Sequence, residues 1–234
     1  MKGQRHSLKP RRPAVGISAC LLGQAVRYDG GHKRNALIVD RLSRHFRLVA
    51  FCPEVAIGLG TPRPPIQLVE SAHQHPRALG GADPGWEVTE PLRNEARRVM
   101  AQRPELCGYI FKSRSPSCAV GSAPLHSVDG QVLGLVDGIY AGEIRKHWPG
   151  LPMAEESDLD DRSDRQCFLL QVRAYCDWQT LRRQGRDVME FHQHYRPLLR
   201  HHAPRHVAKL DHLIRQARQD AQNYLRALMQ AFAT

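Results

Sequence analysis

Apolar residues occur in the first 150 positions as short runs broken by polar turns, and three of these runs lead into a segment that carries a cysteine. Residues 14–19 (Ala-Val-Gly-Ile-Ser-Ala) form one run, followed directly by Cys20. Four to six residues of this kind bounded by turn residues read as a buried strand. A second run, Leu48-Val49-Ala50-Phe51, stops at Cys52-Pro53-Glu54, where proline ends the ladder. A third, Gly108-Tyr109-Ile110-Phe111, opens into Lys112-Ser113-Arg114-Ser115-Pro116-Ser117-Cys118. Between them, residues 35–46 show helical spacing through Leu37, Ile38, Leu42 and Phe46, and residues 91–105 through Leu92, Ala96, Val99 and Met100. Residues 62–90 are rich in Pro and Gly and predict loops with one short hairpin pairing 66–69 with 86–88. Residues 132–136 and 151–153 offer further short strands. Strands alternating with helices predict an α/β fold with a mostly parallel sheet and helices on both faces.

The pattern changes after residue 154. Glu155, Glu156, Asp158, Asp160, Asp161 and Asp164 read as an acidic linker, and beyond it every periodicity is helical. Phe168, Leu169, Val172 and Tyr175 are followed by Val188, Phe191, Tyr195 and Leu198. Leu210, Leu213 and Ile214 come next, then Tyr224, Leu225, Leu228 and Met229. This predicts a small all-α C-terminal module. The organisation expected is a basic flexible tail over 1–13, an α/β domain over 14–158 and a helical domain over 159–234.

Charge adds a partner class. Lys and Arg number 34 against 23 Asp and Glu, a formal charge of +11. Such a surplus favours polyanions, because each cation set on a phosphate releases a counterion. From 165 onward there are twelve Lys and Arg, five Asp and Glu, and six His. No run of eighteen apolar residues occurs, so no membrane-spanning helix is expected. The opening residues lack the apolar core of a secretory signal, which predicts a cytoplasmic protein.

Six cysteines without a secretory signal point to metal or redox chemistry rather than disulfides. No C-x-x-C is present, which removes zinc ribbons and the common ferredoxin runs as sequence matches. Any thiol site must be assembled from distant segments. Cys20, Cys52 and Cys118 each follow a predicted parallel strand, and the carboxyl ends of such strands share one edge, where α/β proteins bind ligands. Converging thiolates suit an iron–sulfur cluster, zinc or cuprous copper. Three donors on a cubane cluster leave one iron open as a Lewis acid. Cys107 reads as a buried structural thiol before the third strand, Cys167 and Cys176 as packing residues. His192, His194, His201, His202 and His206 match no metal spacing and read as solvated or RNA-facing.

The segments Ile17-Ser18-Ala19-Cys20-Leu21-Leu22-Gly23, Arg27-Tyr28-Asp29-Gly30-Gly31, Cys52-Pro53-Glu54-Val55 with Gly58-Leu59-Gly60, and Lys112 to Cys118 resemble the thiouracil desulfidase (TudS-like) family in order and spacing. The resemblance implies a 4Fe–4S cluster held by Cys20, Cys52 and Cys118, with catalytic roles for Glu54 and Ser115. Glu54, two residues after a ligand, would act as general base on water, and Ser115 would hydrogen-bond the base or the intermediate, with no net redox change. Arg27, Tyr28, Asp29, His32, Lys33 and Lys112 are expected to shape the substrate pocket or touch phosphate. Residues 165–234, chiefly Phe191-His192-Gln193-His194-Tyr195-Arg196, are similar to the first part of a YbgA-like helical domain. Joined, the two modules resemble enzymes that remove sulfur from 4-thiouridine in tRNA. Free 2-thiouracil and related thiopyrimidines are the alternative substrates, and a non-catalytic RNA- or metal-binding protein is the reading from a different class.

Overall fold

The computed structural model describes residues 12–71, 75–80, 85–216 and 220–233; the expected basic tail lies almost wholly outside them. The chain runs β1 (Ala14–Ser18), α1 (Ala36–Asp40), β2 (Arg47–Phe51), α2 (Pro53–Ala56), β3 (Ile66–Val69), β4 (Arg77–Gly80) and α3 (Thr89–Gln102). It continues as β5 (Leu106–Phe111), β6 (Ala123–His126), β7 (Val132–Val136), α4 (Ile139–His147) and β8 (Met153–Glu155). Four helices follow: α5 (Arg162–Arg183), α6 (Val188–His202), α7 (Pro204–Gln216) and α8 (Ala221–Ala231).

β1, β2, β5 and β8 form a parallel sheet in the order β2-β1-β5-β8. β1 and β5 are buried along their whole length, as central strands between covering layers must be. Gly16 in β1 faces the Tyr109 ring, where a Cβ would stand 2.5 Å from Cδ2, so only glycine lets the ring lie there. Tyr109 stacks on Phe111 with ring centroids 4.0 Å apart.

A second sheet, ordered β4-β3-β6-β7, departs from the expected single sheet. β3 pairs antiparallel with β4 and parallel with β6, and β6 pairs antiparallel with β7. Its apolar side, with Ile66, Leu68, Ala78 and Ala123, packs on Val88, Leu92 and Ile139 to make a small second core. The hairpin partner of residues 66–69 is 77–80, not 86–88; Glu87 makes only an isolated bridge to Leu79. The predicted helix over 35–46 is divided, since α1 ends at Asp40 and Leu42–Arg44 form a 3-10 turn. Cys107 lies within β5 rather than before it.

The acidic stretch is not a linker. Glu155 ends β8 at 4% exposure, and Asp161 caps α5 by accepting hydrogen bonds from Ser163 N and Asp164 N at 2.7 and 3.0 Å. The core of the first sheet continues without interruption into the helices. Phe168, Val172, Tyr175 and Trp178, at helical spacing on α5, are buried, and Val172 covers Gly108 of β5. His192 corrects the solvated reading of the histidines. At 3% exposure its Nδ1 faces Tyr224 Oη at 3.0 Å and its Nε2 faces Asp211 at 2.8 Å. Among the described residues no helix is long and apolar enough to cross a membrane.

Candidate active site

Three loops leave the carboxyl edge of the first sheet and enclose a cavity of about 340 Å³. After β1 the chain tightens into a 3-10 turn, Ala19–Leu22, which carries Cys20; Gly23 closes it with φ 92°, a conformation that favours glycine. After β2, Cys52 precedes the single turn of α2, whose first residue is Pro53. After β5 the segment Lys112-Ser113-Arg114-Ser115-Pro116-Ser117 crosses the edge to Cys118. Cys20, Cys52 and Cys118 all line the cavity, as the strand ends predicted. Among the described residues no three His, Cys, Asp or Glu side chains form a single-ion site. The trio brackets a space instead.

The thiols sense one another. Burial first, and then the neighbouring Cys52, raise the Cys20 thiol to about 11. Burial likewise pushes up Cys52, and pushes Cys118 well above its ordinary value against a hydrogen bond from Ser18. Lys112 and Arg27 act in the opposite direction on Cys20. Binding a soft cation here must therefore expel protons, and the cationic neighbours ease that release.

Glu54 and Ser115 also face the cavity. Glu54 is held at both oxygens. Its Oε2 accepts hydrogen bonds from Arg63 Nε at 2.9 Å and Nη2 at 2.6 Å, and its Oε1 accepts one from the Ser117 hydroxyl at 2.8 Å. Arg63, with a side chain 4% exposed, also donates to the carbonyls of Val26 and Gly60. The Ser115 Oγ accepts from Ser117 N at 3.3 Å and Cys118 N at 3.1 Å. Among the described residues its O–H donates no hydrogen bond, and the side chain lines the cavity.

Two carboxylates anchor the loop from behind. Glu156 accepts from Ser113 N at 2.7 Å and pairs with Lys112. Glu155 accepts from Val120 N and from the Ser122 hydroxyl, each at 2.6 Å. Arg114 sits in the left-handed region at φ 58°, held by Ser122 Oγ, which accepts from its amide at 2.7 Å. Gly138, at the start of α4, lies flat against the same loop. A Cβ there would meet Ser117 C at 2.5 Å, and the turn beyond it donates from Ile139 N to Pro116 O and from Tyr140 N to Ser117 O.

Of the expected substrate contacts, Arg27, Tyr28 and Lys112 line the cavity; Asp29, His32 and Lys33 do not. Asp29 instead pairs with Arg27 and accepts from Gly31 N at 2.9 Å, bracing the loop. Lys33 contributes its amide to the Cys20 carbonyl at 2.9 Å, and His32 is exposed. Arg27 lies over the Tyr28 ring, 5.2 Å from its centroid, and Tyr28 is exposed at the rim. The sequence pattern alone does not mark Arg63, Ser117, Glu155 or Glu156 as residues of the site. Arg63 lies in a loop without periodicity, and the acidic pair carried the signature of a solvated segment.

Residues 15–156 match the model of a protein family described as 2-thiouracil desulfurase. The chain is 28% identical over 152 residues to an uncharacterised Bacillus subtilis (strain 168) protein, YbbK, covering 62% of this chain and 97% of that one. It is also similar to a solved structure described as the [4Fe-4S]-dependent thiouracil desulfidase TudS. Identity there is 31%, coverage 63% of this chain and 93% of that one, and the TM-score is 0.50.

Proposed function

The chain belongs to the 2-thiouracil desulfurase family, and from that premise we propose that it removes sulfur from 4-thiouridine in tRNA, giving uridine, with a 4Fe–4S cluster held by Cys20, Cys52 and Cys118. The observation that carries the reading is the meeting of three thiols, the Glu54 carboxylate and the Ser115 hydroxyl in a single cavity. The residues fit such a cluster: the donors are soft, they stand around a space rather than a point, and each thiolate of a cubane binds its own iron. When bound, a cluster with three protein ligands supplies an open, thiophilic Lewis-acid position for the departing sulfur.

The chain's own residues do the rest. Arg63 and Ser117 fix the Glu54 carboxylate, and Oε1 keeps one lone pair beyond the Ser117 bond to take the proton of an attacking water. The Ser115 O–H donates to the ring carbonyl or to the charge that develops as water adds. Arg27 and Tyr28 offer a cationic and aromatic rim on which a nucleobase stacks. A base inside a folded RNA reaches this depth only when turned out of its stack.

The RNA substrate is supported by the helices that follow the family match. Arg200, His201, His202, Arg205, Lys209, His212 and Arg215 are exposed on α6 and α7. Between 200 and 216 the sole acidic residue, Asp211, is already bound by Arg196 and His192. A second reading, desulfuration of free thiouracil, is favoured by the likeness to a solved thiouracil desulfidase and by a cavity of single-base size. Loss of 4-thiouridine from bulk tRNA, compared with loss of sulfur from free thiouracil at two salt concentrations, separates them. Turnover on tRNA that weakens with salt supports the first reading; turnover on the free base alone overturns it.

A further inference from the structure

A second pair of thiols meets towards the amino edge of the first sheet, away from the cavity. Cys107 is the second residue of β5, and Cys176 lies on α5, which crosses that strand with Val172 over Gly108. The Cys107 sulfur lies 3.8 Å from Gln179 Oε1 on α5, one turn beyond Cys176, and each thiol bears on the ionisation of the other. Cys107 is 1% exposed, with the Glu105 carbonyl at 3.5 Å from its sulfur. Cys176 is half-buried and lines a separate surface cavity with Arg12, Arg47, Arg183 and Glu105. One thiol is reachable from solvent and the other is not. The reachable one shares that cavity with those three arginines and Glu105, and the Asp177 carboxylate also bears on it.

The electrostatics agree with this division. The Cys107 thiol, aided by Arg183 and Arg173 against burial and Asp177, holds Cys176 below the ordinary thiol value, and Cys176 together with burial pushes Cys107 far up. A reachable, more acidic thiol in front of a buried, less acidic one has the arrangement of an attacking and a resolving cysteine.

We propose that Cys176 and Cys107 form a thiol–disulfide exchange site for small disulfides that carry carboxylates. The Cys176 thiolate attacks one sulfur of the disulfide, forming a mixed disulfide and releasing one thiolate. Cys107 then attacks the Cys176 sulfur, releases the second small thiol and leaves a Cys107–Cys176 disulfide. Two protein thiols are oxidised, one small disulfide is reduced to two thiols, and the protein's protons pass to the leaving groups. The bond formed ties α5 to β5. None of the three thiols around the candidate active site takes part.

The probe is oxidised glutathione, added under anaerobic conditions to the full, cluster-loaded chain and followed by intact and peptide mass spectrometry. The expected product is lighter by two hydrogen atoms, contains a Cys107–Cys176 cross-link and returns to the starting mass with dithiothreitol. Cys107→Ser should accumulate a single glutathione adduct on Cys176, and Cys176→Ser should acquire neither adduct nor cross-link. Arg183→Gln, which keeps both thiols, should slow the exchange several-fold. A wild-type chain that forms no cross-link, that keeps an unresolved adduct on Cys176, or that links a different pair of cysteines overturns the proposal.

Discussion

The guanidinium of Arg63 reaches one oxygen of Glu54 twice, through Nε at 2.9 Å and Nη2 at 2.6 Å, and both side chains are largely withdrawn from water. A buried carboxylate held this way is stable only while its partner stays, and removing one member of such a pair costs about 3–5 kcal/mol. Arg63→Lys keeps the charge but cannot reproduce the fork. Its expected effect is a fall in turnover of roughly 10–100-fold with the iron–sulfur absorbance retained, the size typical of losing a group that orients a site residue. Single-turnover kinetics on the loaded enzyme check this.

Ser115 both shapes and serves the cavity. Its oxygen takes the amides of Ser117 and Cys118, and among the described residues its O–H donates no hydrogen bond. Ser115→Ala removes both functions. Stability should drop by about 1 kcal/mol for the lost turn bonds, and turnover by roughly 100-fold for the lost donor. Ser115→Thr, which keeps the hydroxyl, should recover much of each. Denaturant titration read beside kcat tests the two effects separately.

Gly138 has no room for a side chain, because a Cβ would press on the Ser117 carbonyl carbon at 2.5 Å. Gly138→Ala should displace the turn that places Ser117 and Cys118, costing about 1–3 kcal/mol as overpacking does. Iron content after anaerobic reconstitution should fall with it. A variant that loads iron normally and melts like the parent would show that the loop does not depend on this contact.

These sites differ in how far they could be read from the chain. The thiol trio was legible because two apolar runs stop at a cysteine and a third leads through a short polar loop to one, and parallel strands place their carboxyl ends together. The second sheet was not. β4 is Arg-Ala-Leu-Gly, with one large apolar residue, and β6 carries Pro124 between two pairing neighbours, a residue that ordinarily argues against an inner strand. The acidic run looked solvated because adjacent carboxylates usually are; here Glu155 and Glu156 accept backbone amides of the loop, contacts that leave no periodic mark. Likewise, nothing local distinguishes buried His192 from its exposed neighbour His194.

Acid should weaken the helices through Asp211. Hydrogen bonds from Arg196, and next from His192, hold its carboxyl well below the usual carboxylate range. A carboxylate depressed by folding contributes stability at pH values above its unfolded pKa of about 3.9, and that contribution disappears as pH falls towards the folded value. Asp211→Asn should therefore cost about 2 kcal/mol near neutrality, and the gap to wild type should close in acid. Thermal unfolding of both proteins across this range gives the comparison.

The account's central claim is that Cys20, Cys52 and Cys118, and no other cysteines, hold the iron. Iron and acid-labile sulfide per chain, measured after anaerobic reconstitution of the six single Cys→Ser variants, tests it most directly. The account predicts roughly four of each in wild type, retained when Cys107, Cys167 or Cys176 is replaced and lost when Cys20, Cys52 or Cys118 is. Full iron in a chain lacking Cys118, or its loss in one lacking Cys167, would contradict it.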